Sequence, residues 1–223
     1  MRYNGGKFSC SKELAQILNS YCSPNKVYWE PFVGAANVIE KISATKRIGS
    51  DKDLAIISLL KAVQKGWEPP YAVTEQQYKD IRDKGNLEDP IYAFAKYGCS
   101  FGGKPWGGYA RSGTRNYALN ARNSLLKQKK YLSDVLFMCT DYTADIKADI
   151  VYCDPPYKDT TVVGCCEKFD SDSFWEWVRE KSKTAKVFVS EQVAPSDFIC
   201  VWEKKLTDGL GNKKITERLF TLA

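Results

Sequence analysis

The sequence predicts an α/β fold: a mostly parallel sheet covered by helices, ending in a C-terminal antiparallel hairpin and interrupted by a small, mostly helical insert. Three observations predict it. Strand-like apolar runs alternate with amphipathic helical runs early in the chain and again after residue 133, the pattern of parallel strands joined by covering helices. Residues 67–73, WEPPYAV, break that alternation. Residues 90–133 hold eight Lys and Arg and no Asp or Glu, whereas the rest of the chain carries 25 basic against 27 acidic residues. The whole excess of a chain with net charge +6 sits in that segment, which is either a phosphate-binding module or a solvated basic face.

Each element has its own signal. Leu14, Ile17, Leu18 and Tyr21 recur at i, i+3, i+4, i+7 and predict a helix over residues 11–22. KVYWEP (26–31) reads as a strand stopped by Pro31, GAANVIEKIS (34–43) as a helix, and KRIGSD (46–51) as a second strand. Residues 53–66 read as a helix closed by Gly66. Short helices are expected near 75–83 and 88–98, then a loop rich in glycine, aromatics and cations (97–115), then a helix near 117–131. The alternation resumes with strands at 134–141 and 148–154, a helix over 174–182 opened by a Ser173/Glu176 capping box, and a strand at 185–190. Strands at 197–206 and 213–222, joined by TDGLGN, form the hairpin. The expected organisation is a sheet domain of residues 1–66 and 134–223 with an insert of 67–133.

Composition narrows the chemistry. At 223 residues the chain has room for one α/β domain with a small inserted module. It has no histidine, which excludes Ser-His and Cys-His catalysis and most zinc chemistry, so no metal site is expected. No apolar run has the length of a membrane span, and the start MRYNGGKFSC lacks the apolar core of a signal peptide. A cytoplasmic protein with no membrane contact and no obligate protein partner is expected. Its eight cysteines are expected to be reduced, with Cys139, Cys153 and Cys200 acting as small hydrophobes in strands. Cys165-Cys166 reads either as a redox-active pair or as surface loop.

The candidate chemistry lies at the strand ends. In EPFVGAANV (30–38), Gly34 permits close approach of the backbone to a ligand, although a plain strand-to-helix turn reads the same way. Asp51 ends the second strand, where an acid can accept from ribose hydroxyls. If the sheet is parallel, Gly34, Asp51, Asp141 and Asp154 gather at its carboxyl edge. The most specific stretch is Asp154-Pro155-Pro156-Tyr157. Proline has no backbone N–H; Asp154 and the Pro155 carbonyl could both accept from an exocyclic amine, and Tyr157 could stack on the ring bearing it.

Taken together these motifs resemble the Dam-like class of N6-adenine DNA methyltransferases, in order along nearly the whole chain. RYNGGK (2–7) is similar to that family's N-terminal aromatic-x-Gly-Gly-Lys motif, EPFVGAANV to its S-adenosylmethionine loop, and SDKDLA (50–55) to its ribose-acid motif. FMCTDY (137–142) is similar to its adenine-side acidic motif, and DPPY to its catalytic motif. One departure is Ala36, where the loop usually carries a second glycine. The resemblance implies a Rossmann-like S-adenosylmethionine-dependent methyltransferase sheet, with S-adenosylhomocysteine as product. It implies cofactor contacts from Tyr3, Lys7 (near the carboxylate end), Phe32, Gly34, Asp51 and Asp141. Asp154, Pro155, Pro156 and Tyr157 would hold the target adenine.

The resemblance further implies double-stranded DNA as partner, with residues 67–133 as its target-recognition domain. Lys104 and Arg122 are expected on phosphates, Arg111 and Arg115 on guanine edges, and Trp106 or Tyr109 as a wedge. An amine inside a duplex must be flipped out to be reached. The competing readings are an RNA N6-adenine methyltransferase and a catalytically inactive DNA-binding protein of the same fold. Nothing in residues 97–115 identifies a recognition sequence.

Overall fold

The computed structural model describes residues 1, 3–156, 169–207 and 214–223. Seven strands form one sheet: β1 (Val27–Glu30), β2 (Lys46–Asp51), β3 (Val135–Cys139), β4 (Ile150–Cys153), β5 (Lys186–Glu191), β6 (Phe198–Thr207) and β7 (Lys214–Leu222). Their spatial order is β3-β2-β1-β4-β5-β7-β6. The first five run parallel, with Trp29 opposite both Ile48 and Val151. Strand β7 pairs antiparallel with β5 and with β6, which forms the outer edge. This is the Rossmann-like sheet with a C-terminal antiparallel hairpin that the sequence predicts. Most of the hairpin's expected turn lies outside the described residues.

Alternation along the central strands sends side chains into two cores. Tyr28, Ile150, Tyr152 and Phe188 face one side, with Leu14 and Leu18 of α1 (Ser11–Asn19) and Ile56, Leu59, Leu60 and Val63 of α2 (Leu54–Gln64). Trp29, Val151, Cys153, Val187 and Val189 face the other, against Phe174, Trp175 and Val178 of α6 (Ser171–Lys181). Residues 67–133 hold α3 (Glu75–Lys84), α4 (Pro90–Ala93), which runs on as a π-helix (Phe94–Gly98), and α5 (Tyr117–Lys129). Phe94, Tyr97, Ala121 and Leu125 belong to the same core as α2, so these helices share apolar packing with the sheet domain.

Three sequence expectations change. No α-helix follows β1: residues 34–43 form turns and a single 3₁₀ turn (Ile39–Lys41). Gly34 (φ 45°) and Ala36 (φ 57°) are left-handed, which breaks the helical path at its start. Helix α6 begins earlier than expected, capped by Asp170, whose carboxylate accepts from the Asp172 and Ser173 amides at 3.1 Å; Ser173 is already inside the helix. Cys139 and Cys200 are exposed, because β3 and β6 are the sheet's edge strands, while Cys153 in central β4 is buried. No helix among the described residues is long and apolar enough to cross a membrane.

Candidate functional site

The chain leaves β1 outward to β2 and β3, then returns to the opposite side of β1 as β4. The order therefore reverses between β1 and β4, and a parallel sheet opens a crevice at the carboxyl ends of the two strands that flank such a reversal. The loop after β1 (residues 31–34), Asp51 at the end of β2, Asp141 two residues past β3 and Asp154 one residue past β4 all sit at this edge. The tertiary structure thus gathers the four strand-end residues that the sequence singles out.

Gly34 and Asp51 are tied directly. The Gly34 amide donates to Asp51 Oδ2 at 2.9 Å, and the Asp53 amide donates to Asp51 Oδ1 at 3.0 Å. Burial pushes the Asp51 carboxyl up to about 6 against the pull of these two donors. A Cβ on Gly34 would lie 3.0 Å from the Tyr3 ring, so a larger residue in this left-handed turn would have to push the N-terminal segment aside. The Tyr3 ring in turn lies 4.7 Å from that of Tyr97.

Asp154 is paired. Lys7 Nζ lies 2.7 Å from Asp154 Oδ1 and 3.5 Å from Glu217 Oε2 on β7. Burial pushes Asp154 up to about 6, with Lys7 pulling it back down. The Lys7 ammonium is buried, yet the two carboxylates hold its pKa above the usual value. The resemblance places Lys7 toward the cofactor; the structure shows it on the acid of the Asp-Pro-Pro stretch. Pro155 is buried and Pro156 half-buried. Tyr157 and the pair Cys165-Cys166 lie outside the described residues.

Glu30 at the end of β1 is the buried acid the sequence reading overlooked. Tyr28 donates to its Oε1 at 2.6 Å, and burial pushes its carboxyl up to about 8. Phe32 and Tyr142 stack at 5.5 Å between centroids and are half-buried. Beside them, Asp141 accepts from the Thr143 amide and hydroxyl, each at 2.9 Å, and pairs with Lys52 at 3.1 Å. Burial opposes its charge, but these partners hold the carboxyl below the usual range.

The helices of residues 67–133 reach into this edge. Gln128 of α5 donates to the carbonyls of Ala35 and Ala36 at 2.9 and 3.0 Å, bracing the left-handed turn. Arg122, expected on phosphate, is buried; it pairs with Glu68 at 2.6 Å, reaches the Pro69 carbonyl and lies 4.2 Å over the Tyr71 ring. It shares the inner face of α5 with Ala118, Ala121, Leu125 and Gln128, a helical spacing already visible in the sequence. Lys104 and Arg115 are exposed, and Arg111, also exposed, pairs with Glu75. Trp106 and Tyr109, the expected wedges, pack against Tyr78, and Tyr109 donates to the Val73 carbonyl at 2.7 Å. Their rings serve the insert's own packing.

No protein-family profile matches this chain, and no curated protein matches it. Among solved structures, the chain is similar to the rRNA methyltransferase aviRa from Streptomyces viridochromogenes. Two crystal structures of that protein give TM-scores of 0.48 and 0.46 at 12% identity, covering 99% and 95% of this chain and 86% and 83% of the other. It is also similar to a candidate methylase from Haemophilus influenzae, HI0767, with a TM-score of 0.41 at 12% identity, covering 97% of this chain and 99% of that one. At this identity, and with each of these TM-scores below 0.5, the likenesses assign neither substrate nor reaction.

Proposed function

We propose that this protein is an S-adenosylmethionine-dependent methyltransferase that modifies N6 of a flipped-out adenine in duplex DNA. The observation that carries the reading is the crevice between β1 and β4, where Asp154-Pro155-Pro156 and the Gly34–Asp51 pair flank the point of strand reversal. The residues present fit the cofactor: a side-chain-free turn at Gly34, a carboxylate held by two backbone amides at Asp51, and an aromatic wall of Phe32 and Tyr142. Asp51 would hold the ribose, and Asp141 the adenine amine. S-adenosylmethionine, when bound, supplies a methyl group on a sulfonium, already activated for transfer.

What remains for the protein is to make the adenine amine a better nucleophile. Its lone pair is delocalised into the ring. Asp154 and the Pro155 carbonyl, accepting from the amine hydrogens, favour a more tetrahedral nitrogen and leave its lone pair free for in-line attack. Lys7, 2.7 Å from Asp154, favours its ionised form, and that carboxylate would take up the proton that the amine loses on methylation. Lys104, Arg111 and Arg115, all exposed, would meet the nucleic acid.

The test is label transfer. Purified protein with methyl-labelled S-adenosylmethionine should yield N6-methyladenine in duplex DNA, and Asp154→Ala should abolish the label while cofactor binding persists. Label in RNA and none in DNA would move the substrate. Full activity in Asp154→Ala would end the catalytic assignment.

A further inference from the structure

Two residues of the insert reach an acid beside the cofactor crevice. Lys96 Nζ lies 2.7 Å from Asp53 Oδ2, and the Tyr97 hydroxyl donates to the same oxygen. In an α-helix, consecutive side chains diverge by about 100°. Here Lys96 and Tyr97 converge from the π-helical turn of Phe94–Gly98, a wide turn that recurs at functional sites. Asp53 is already occupied in other ways: its Oδ1 caps α2 through the Ala55 amide at 3.0 Å, and its own amide holds Asp51 Oδ1. The Tyr97 ring also packs on Tyr3, which covers the Gly34 turn.

We propose that Lys96 and Tyr97 are positioning residues for the cofactor: they lock Asp53, and Asp53 in turn sets the direction and charge of Asp51. The proposal rests on the reading of Asp51 as the ribose acceptor. Two carboxylates separated by one residue repel each other, and the charge of Asp53 disfavours that of Asp51. Asp53, Tyr3, Tyr97, Cys139 and Lys96 all interact electrostatically with Asp51, and the positive charge of Lys96 favours its ionised form. Burial, then the neighbouring Tyr3 and Asp53, pushes the Tyr97 phenol far up, so it stays a donor. The cofactor acid is thereby held from a segment that no sequence motif connects to it.

Calorimetric titration with S-adenosylhomocysteine separates this role from a merely structural tie. Lys96→Gln and Tyr97→Phe should each weaken binding by roughly tenfold, the worth of a hydrogen bond to a charged group. Lys96→Arg should keep near wild-type affinity. The Lys96→Gln loss should be larger at pH 6 than at pH 8, because Asp51 protonates more readily without the charge of Lys96. Wild-type affinity in both Lys96→Gln and Tyr97→Phe, with the wild type binding normally, overturns this inference and leaves the proposed function standing. If Lys96→Gln fails to fold, Tyr97→Phe decides alone, since it keeps the ring against Tyr3. A wild type that binds no S-adenosylhomocysteine overturns both.

Discussion

Lys7 and Asp154, far apart in sequence, meet at 2.7 Å in the crevice between β1 and β4, with Glu217 3.5 Å from the same ammonium. One cation therefore stands between two carboxylates, and its removal leaves like charges facing each other.

Lys7→Met should move the acid limb of the pH–rate profile. Asp154 ionises at about 6 with Lys7 in place, and the ionised form accepts from the amine, so the wild-type rate should fall as pH drops below 6. Without Lys7 the acid form of Asp154 gains, and the limb should shift to higher pH. A limb at the same pH in Lys7→Met would show that Lys7 does not govern the ionisation of Asp154.

Glu30 should make stability pH-dependent. Its folded pKa, about 8, stands above the ordinary 4.5, so the native state holds this proton more tightly than the unfolded chain. The stabilisation is full below 4.5 and is lost as pH rises toward 8, at up to ~1.4 kcal/mol per pH unit. Glu30→Gln keeps an acceptor for Tyr28 and should flatten that slope. Urea unfolding at intervals from pH 5 to 8 measures it; equal slopes in both proteins would contradict the assignment.

Ala36 should tolerate only glycine. It is fully buried at φ 57°. Ala36→Gly relieves a left-handed conformation but loses a buried methyl and adds chain entropy, so stability should stay within about 1 kcal/mol. Ala36→Val places a branched side chain in a left-handed, closed site and should cost about 3 kcal/mol by denaturant unfolding.

The arginines of the insert should separate into two kinds. Arg115→Ala should lower the slope of log affinity for DNA against log salt by about one, with the melting temperature unchanged. Arg122→Ala should lower the melting temperature, because Glu68 and the Pro69 carbonyl lose their partner, and leave the salt slope intact. A reduced salt slope in Arg122→Ala would return that residue to the nucleic-acid surface.

Local pattern along the chain is enough for the class of fold and the order of the motifs. Strand periodicity and glycine and proline stops are local properties, and the Asp-Pro-Pro stretch and the strand-end acids are visible as types and spacings. It misplaced what depends on partners. The run at 34–43 looks helical by composition, but the backbone at Gly34 and Ala36 turns left-handed, and Gln128 from a distant helix braces that turn. Arg122 looks like a phosphate ligand until the inner face of α5 is known. That Lys7 meets Asp154, that Glu30 is buried, and that Lys96 and Tyr97 grip Asp53 emerges only in the folded chain. The two contacts join residues distant in sequence, and the burial of Glu30 depends on the layers packed around β1; no local pattern in a chain encodes either.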